Sequence, residues 1–208
     1  MIAFKNRHAG QTCTIIGNGP SLKDVPDTFL DKYPTFGANR IYLRYEPTYF
    51  VAVNPLAIEQ NKSEIANLEC EKFLPGQFGI ECHNLVSLSR KEFSLEPEEW
   101  IYEGHTVTFV SMQLAYYMGF ETVLLVGVDH RYEYHGNPNE QRLMDGDDPN
   151  HFDPRYFKGQ QWHNPDLERS RQAYQMADNA YRKDGRSIVN LTEGTALDVF
   201  KKGNINDY

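Results

Sequence analysis

The sequence predicts an α/β fold, a mainly parallel sheet with helices on both faces, and three observations carry that expectation. Short apolar runs alternate with helix-period patterns along the chain, as strands joined by crossover helices do. The most hydrophobic run, residues 122–128, lacks polar alternation, which suits a strand covered on both faces. The first such run ends in Gly17-Asn18-Gly19-Pro20-Ser21-Leu22, a strand-glycine-helix junction.

Taken in order, strands are expected at residues 12–16, 35–38, 49–53, 70–74, 85–87, 122–127 and 187–191. In the junction after the first, two glycines allow a sharp turn and a close approach to a ligand. Pro20 suits the first helical position, and exposed amides favour a phosphate. Leu22 stands where a dinucleotide fingerprint has its third glycine, and no Gly-Lys-Ser/Thr follows, so neither that motif nor a Walker loop is present. Gly17, Asn18, Gly19, Pro20 and Ser21 form the candidate nucleotide cradle.

Helices are expected at 55–68 and 106–118, the second with Phe109, Met112, Tyr116 and Val110, Leu114, Tyr117 on adjoining faces. The run 122–128 belongs at the sheet centre. The polar segment 129–164 holds four of the seven histidines, clustered acids and many aromatics. Loops of that length are usually functional or disordered, and aromatic content argues against disorder. It is expected to be an ordered lid insertion, about 130–164, in a single domain spanning 1–208. Asn164-Pro165-Asp166 then offers an N-cap, a proline and an acid, opening a helix to about residue 184 that Gly185 ends.

A formal net charge of −8 with scattered Lys and Arg excludes nucleic-acid polymers as partners. Cys13, Cys70 and Cys82 are odd in number and lack CxxC spacing, against a disulfide framework or a zinc-thiolate site and for a reducing compartment. Residues 1–7 are too short and polar for a signal peptide, and no apolar run approaches the ~20 residues that span a bilayer. A cytoplasmic protein is expected; peripheral contact with the inner membrane surface and a homo-oligomer are both compatible with that.

Three further matches follow the glycine loop in order. They are Asn39 in Gly37-Ala38-Asn39-Arg40-Ile41-Tyr42, Asn54 in Val53-Asn54-Pro55, and the unit from Gly119-Phe120 to Gly127-Val128-Asp129. On these motifs, over roughly residues 12–200, the chain resembles the small bacterial sialyltransferases that use a CMP-sugar donor, and the wider Rossmann-like group around them. Its glycine loop and Gly-Val-Asp strand end are similar also to the archaeal hydroxymethyl-dihydropterin diphosphokinases. The first resemblance implies a Rossmann-like domain, donor-nucleotide contacts from Asn18, Gly19, Asn39 and Asn54, and a general base in His163, just before the late helix. Two tyrosine hydroxyls steady the leaving phosphate in that family. Tyr132 and Tyr134 are the nearest here, with Arg131 in the ungapped place of the first and Thr106 or Thr108 replacing a serine before the central helix. A nucleotide-sugar donor, CMP-linked, a glycan or lipid-linked acceptor and no metal or other cofactor are implied.

Read from the residues themselves, Asn18, Asn39, Asn54 and Asp129 each follow a strand, and ligands of open parallel sheets gather outside the carboxyl ends. An amide both donates and accepts, which suits ribose hydroxyls and base edges. Each asparagine equally suits a turn or a helix cap, Asn54 before Pro55 above all. His163, beside Trp162, can take a proton from an attacking hydroxyl. His105 is the runner-up, and His130 and His151 suit phosphate or acceptor contacts. Asp145, Asp147, Asp148 and Asp153 with His151 form the densest acidic cluster. With Asp129 it would hold magnesium under the alternative reading, a Mg-ATP-dependent diphosphokinase clamping its triphosphate with Lys23 or Arg40. A solvated loop with Asx turns is the plainer account of those acids. A non-catalytic nucleotide-binding module is the third reading. Tyr156, Phe157 and Trp162 suit a sugar platform.

Overall fold

The runs that lack alternation take the interior of the sheet. The computed structural model describes residues 1–208. In chain order it has β1 (Thr12–Ile16), a 3₁₀ turn (Pro20–Asp24), α1 (Asp27–Leu30), β2 (Thr35–Ala38), β3 (Tyr49–Val51), α2 (Pro55–Gln60), α3 (Lys62–Ala66) and β4 (Glu71–Leu74). There follow β5 (His83–Asn84), α4 (Val107–Tyr117), β6 (Thr122–Val126), β7 (Gln141–Leu143), β8 (Gln161–His163), α5 (Leu167–Lys183), β9 (Ser187–Asn190) and β10 (Lys201–Lys202). Eight strands make one sheet in the order β10-β9-β6-β1-β2-β3-β4-β5. Every pairing in it is parallel. β7 and β8 form a separate antiparallel ribbon.

The two-residue period of a strand splits each interior run between two cores. Cys13, Ile15, Val123 and Leu125 join a cluster of 29 buried residues beneath α4 and α5. Ile16, Leu124 and Val126 join a cluster of 21 on the other face, with α1, α2, α3 and the aromatics of the 130–164 insertion. α4 is buried without a break from Phe109 to Tyr117, because the sheet covers one side and α5 another. α5 buries Ser170, Ala173, Tyr174, Ala177, Asp178 and Tyr181, a helical stripe, and Gly185 at φ +71 ends it.

Several expectations are corrected. The helix expected over 55–68 breaks at Asn61, whose buried amide donates to the Ala57 carbonyl at 2.9 Å and also reaches Gln160 of the insertion. A side chain that bonds a nearby carbonyl competes with the helix ladder. The fifth strand lies at His83–Asn84 rather than 85–87; Leu85 N–H still donates to Leu74 O at 3.0 Å, but Ser87 only bridges Ile101. β6 is interior, between β1 and β9, and one place from the centre. The N-cap of α5 is Asp166, whose Oδ1 accepts from Arg169 N–H at 3.1 Å, not Asn164. β10 and the β7–β8 ribbon were not expected, since two- and three-residue strands carry too few positions for a pattern. No helix is long and apolar enough to cross a membrane. Cys13, Cys70 and Cys82 are all free.

Candidate functional site

From β1 the chain adds strands outward to β5, then returns to lay β6 on the other side of β1. Strand order therefore reverses between β1 and β6, and ligands of open α/β sheets bind outside the carboxyl ends at such a reversal. A cleft of about 690 Å³ opens there. Its floor is a close approach of two loops. Gly17 N–H donates to Val126 O at 2.8 Å and Gly19 N–H to Gly127 O at 2.9 Å. A Cβ on Gly17 would collide with the Gly127 carbonyl, and one on Gly19 with the Asp129 carboxylate.

Gly17, Asn18, Asn39, Asn54, Thr106, Asp129, Tyr132 and His163 all line this cleft. Gly19, Pro20, Ser21 and Tyr134 do not. Ser21 sits one layer behind, its N–H and Oγ–H donating to Asp129 at 3.3 and 2.7 Å, so that Asp129 pins the glycine loop to the end of β6. Tyr132 and Tyr134 both pack against the second core, and of the two only Tyr132 borders the cleft. Burial raises the Tyr132 hydroxyl pKa above its usual range, helped by the nearby Tyr174 hydroxyl and the Asp129 and Asp148 carboxylates. It remains a donor at neutral pH.

Asn18 donates to Ala38 O at 3.1 Å, while its Oδ1 is buried without a partner. Five non-glycine residues have positive φ, and four of them, Asn39, His105, His130 and Asn139, line the cleft. Such backbone conformations collect where a site over-determines them. His130 holds its proton less readily than usual, first because burial disfavours the charged ring, then because Arg171 repels it, with Asp198 opposing. Thr106 caps α4 only through its backbone, since its hydroxyl lies 3.2 Å from that of Tyr174.

Asn54 has two partners. Its Oδ1 accepts from Leu56 N–H at 3.0 Å and caps α2, which leaves Nδ2 3.3 Å from His163 Nδ1. An amide nitrogen can only donate, so His163 Nδ1 accepts and the proton of the neutral ring sits on Nε2. His163 offers the cleft an N–H donor. Gln60 holds its strand in place, exchanging two 2.8 Å hydrogen bonds with the Gln161 backbone.

The acids of the insertion have protein partners: Lys158 binds Asp147 at 2.8 Å, His151 binds Asp148, and Arg155 binds Asp153, while Asp145 is exposed. No three His, Cys, Asp or Glu side chains gather as a metal site. Lys23 and Arg40 lie outside the cleft lining; Arg40 donates to the Arg155 and Tyr156 carbonyls. Lys91 and Arg131 are the cations that border it. Phe157 and Trp162 line it with ring centroids 6.0 Å apart, and Tyr156 is buried behind them. Sequence reasoning missed Tyr174, Gln161 and Lys91. Tyr174 carries only the signature of a helix core position, and Lys91 that of a loop charge.

The fold is a Rossmann-like α/β fold, and the cleft lies outside its strand ends at the reversal of strand order. The chain is similar over 98% of its length, at 14% identity and a TM-score of 0.60, to MAf glycosyltransferase from Magnetospirillum magneticum AMB-1, and spans 35% of that protein. It is similar over 93% of its length, at 15% identity and a TM-score of 0.51, to the sialyltransferase CstII from Campylobacter jejuni, solved in complex with a substrate analogue, cytidine-5′-monophosphate, and spans 85% of it. No protein-family model and no curated protein sequence matches the chain.

Proposed function

We propose that the chain is a nucleotide-sugar-dependent glycosyltransferase, sialyltransferase-like in using a CMP-linked donor, that transfers a sugar by direct displacement to a glycan or lipid-linked acceptor. The supporting observation is convergence. Asn18, Asn39, Asn54 and Asp129, each from a different strand end, and His163 from the insertion, share one cleft at the strand-order reversal. In this reading the asparagines hold the nucleotide, and Tyr132 and His163 donate hydrogen bonds to the departing phosphate. The insertion acts as a lid whose closure excludes water, the competing acceptor.

A thermal-shift screen of CMP, UDP, GDP and ATP compounds, each with and without magnesium, tests the reading. A ligand at about 100 times its Kd stabilises the chain by about 2.7 kcal/mol. CMP without metal supports the transferase; ATP with magnesium alone supports the diphosphokinase; binding without turnover of any donor supports a non-catalytic module. His163→Ala should lower transfer by about 10²-fold or more, the usual loss for a donor to developing charge, with donor affinity within a few-fold. Unaltered turnover would remove His163 from the reaction.

A further inference from the structure

A second imidazole borders the same cleft in the opposite tautomer. His151 is 8% exposed, and its Nδ1 lies 2.8 Å from Asp148 Oδ2. The Asp148 side chain is fully buried, its other oxygen accepting from Asn150 N–H at 2.9 Å. The Asp148 backbone N–H is anchored on Pro154 O at 2.7 Å. A carboxylate only accepts, so His151 Nδ1 donates and Nε2 carries the lone pair. The ring is clamped flat on Tyr156, with centroids 4.1 Å apart and planes 3° off parallel, and Phe157 meets it edge-on at 5.2 Å. Nε2 has no protein partner, and the residue lines the cleft. Asn54 makes His163 a donor; Asp148 makes His151 an acceptor.

We propose that His151 is the base that takes the acceptor's proton and that Asp148 is its positioning residue, an assignment that rests on the transferase reading above. The acceptor oxygen bonds to the donor's anomeric carbon while its proton passes to His151 Nε2. The bond from that carbon to the phosphate oxygen breaks, and its electron pair stays on the nucleotide phosphate. The imidazolium keeps its Nδ1–H on Asp148 and returns the other proton to solvent. A base held by an orienting group is the usual arrangement for activating a hydroxyl. It also accounts for why one acid of this loop is buried while Asp145 and Asp147 are exposed, since a buried carboxylate is costly unless it is hydrogen-bonded.

Two measurements test it. Long-range ¹⁵N spectra of the imidazoles in the free full chain should show an Nδ1–H tautomer for His151 and an Nε2–H tautomer for His163, with Asp148→Asn converting His151 to Nε2–H. An Nε2–H tautomer for His151 in the wild type overturns the proposal without reference to activity. In transfer assays with a CMP-sugar, His151→Ala should lose about 10²- to 10⁴-fold in kcat with CMP affinity within about 3-fold, which also shows that the variant is folded. Asp148→Asn should lose kcat likewise. Wild-type turnover by His151→Ala overturns the base, and loss of CMP binding in that variant shows a brace for the insertion instead. Absence of transfer by the wild type with any nucleotide sugar overturns the transferase reading and the base together.

Discussion

An asparagine amide has one orientation once either end is taken, and that small rule assigns the His163 imidazole. Asn54 looked from the sequence like a helix cap or a ligand contact; it caps α2 through Oδ1 and thereby turns Nδ2 toward His163. The residue types were legible in the sequence, but their tautomers were not, because His163 and Asn54 are 109 positions apart. His130 gives a prediction at the same scale. Its pKa is lowered from the usual 6.5, chiefly by burial. The unfolded chain therefore binds more protons there, so stability is full above pH 6.5, falls as pH drops through that value, and levels off below the folded pKa. His130→Asn, a residue that suits φ +52, should flatten this dependence. Urea midpoints at about pH 7 and about pH 5 should lie closer together in the variant than in the wild type.

Elements were legible where they are long or unalternating and misplaced where a side chain from elsewhere intervenes. β1, β2, β6, α4 and α5 fall within a residue or two of expectation, whereas the helix over 55–68 was broken by Asn61, whose partners include Gln160. The start of α5 separates two roles that the sequence merged. Asp166 caps the helix, and buried Asn164 donates to His135 O at 2.8 Å and Asn137 O at 2.9 Å. Asp166→Ala should cost about 1 kcal/mol and raise hydrogen exchange in the first turn of α5. Asn164→Ala removes two hydrogen bonds within the insertion, leaving His135 O to Arg142 and Asn137 O to Glu140 N–H; it should cost about 1–3 kcal/mol and should raise exchange across 135–140 instead. Equal exchange patterns in the two variants would mean that the helix start and the insertion are one unit.

At the scale of the molecule, the two cores and the cleft depend on one close contact, Gly17 against Gly127, between the loops that end β1 and β6. Gly17→Ala must push those loops apart. It should cost about 1–3 kcal/mol in denaturant titration and also abolish nucleotide-dependent thermal stabilisation. Leu124→Ala, in the second core beneath the same strand, should cost about 2–5 kcal/mol and leave that stabilisation in place. A Gly17→Ala protein that still gains stability from the ligand would separate the glycine approach from the site.

By itself the sequence determined the fold class, the parallel sheet, the glycine junction and the residues that follow each strand, because hydrophobic period, strand direction and turn chemistry are local properties. Only the tertiary structure decided that Tyr134 stays off the cleft, that Ser21 serves Asp129 behind it, and that Asp148 and Asn54 give two histidines opposite tautomers. Each of those depends on hydrogen-bond partners or burial set by how the insertion packs across the strand ends, and such contacts leave no periodic trace along the chain.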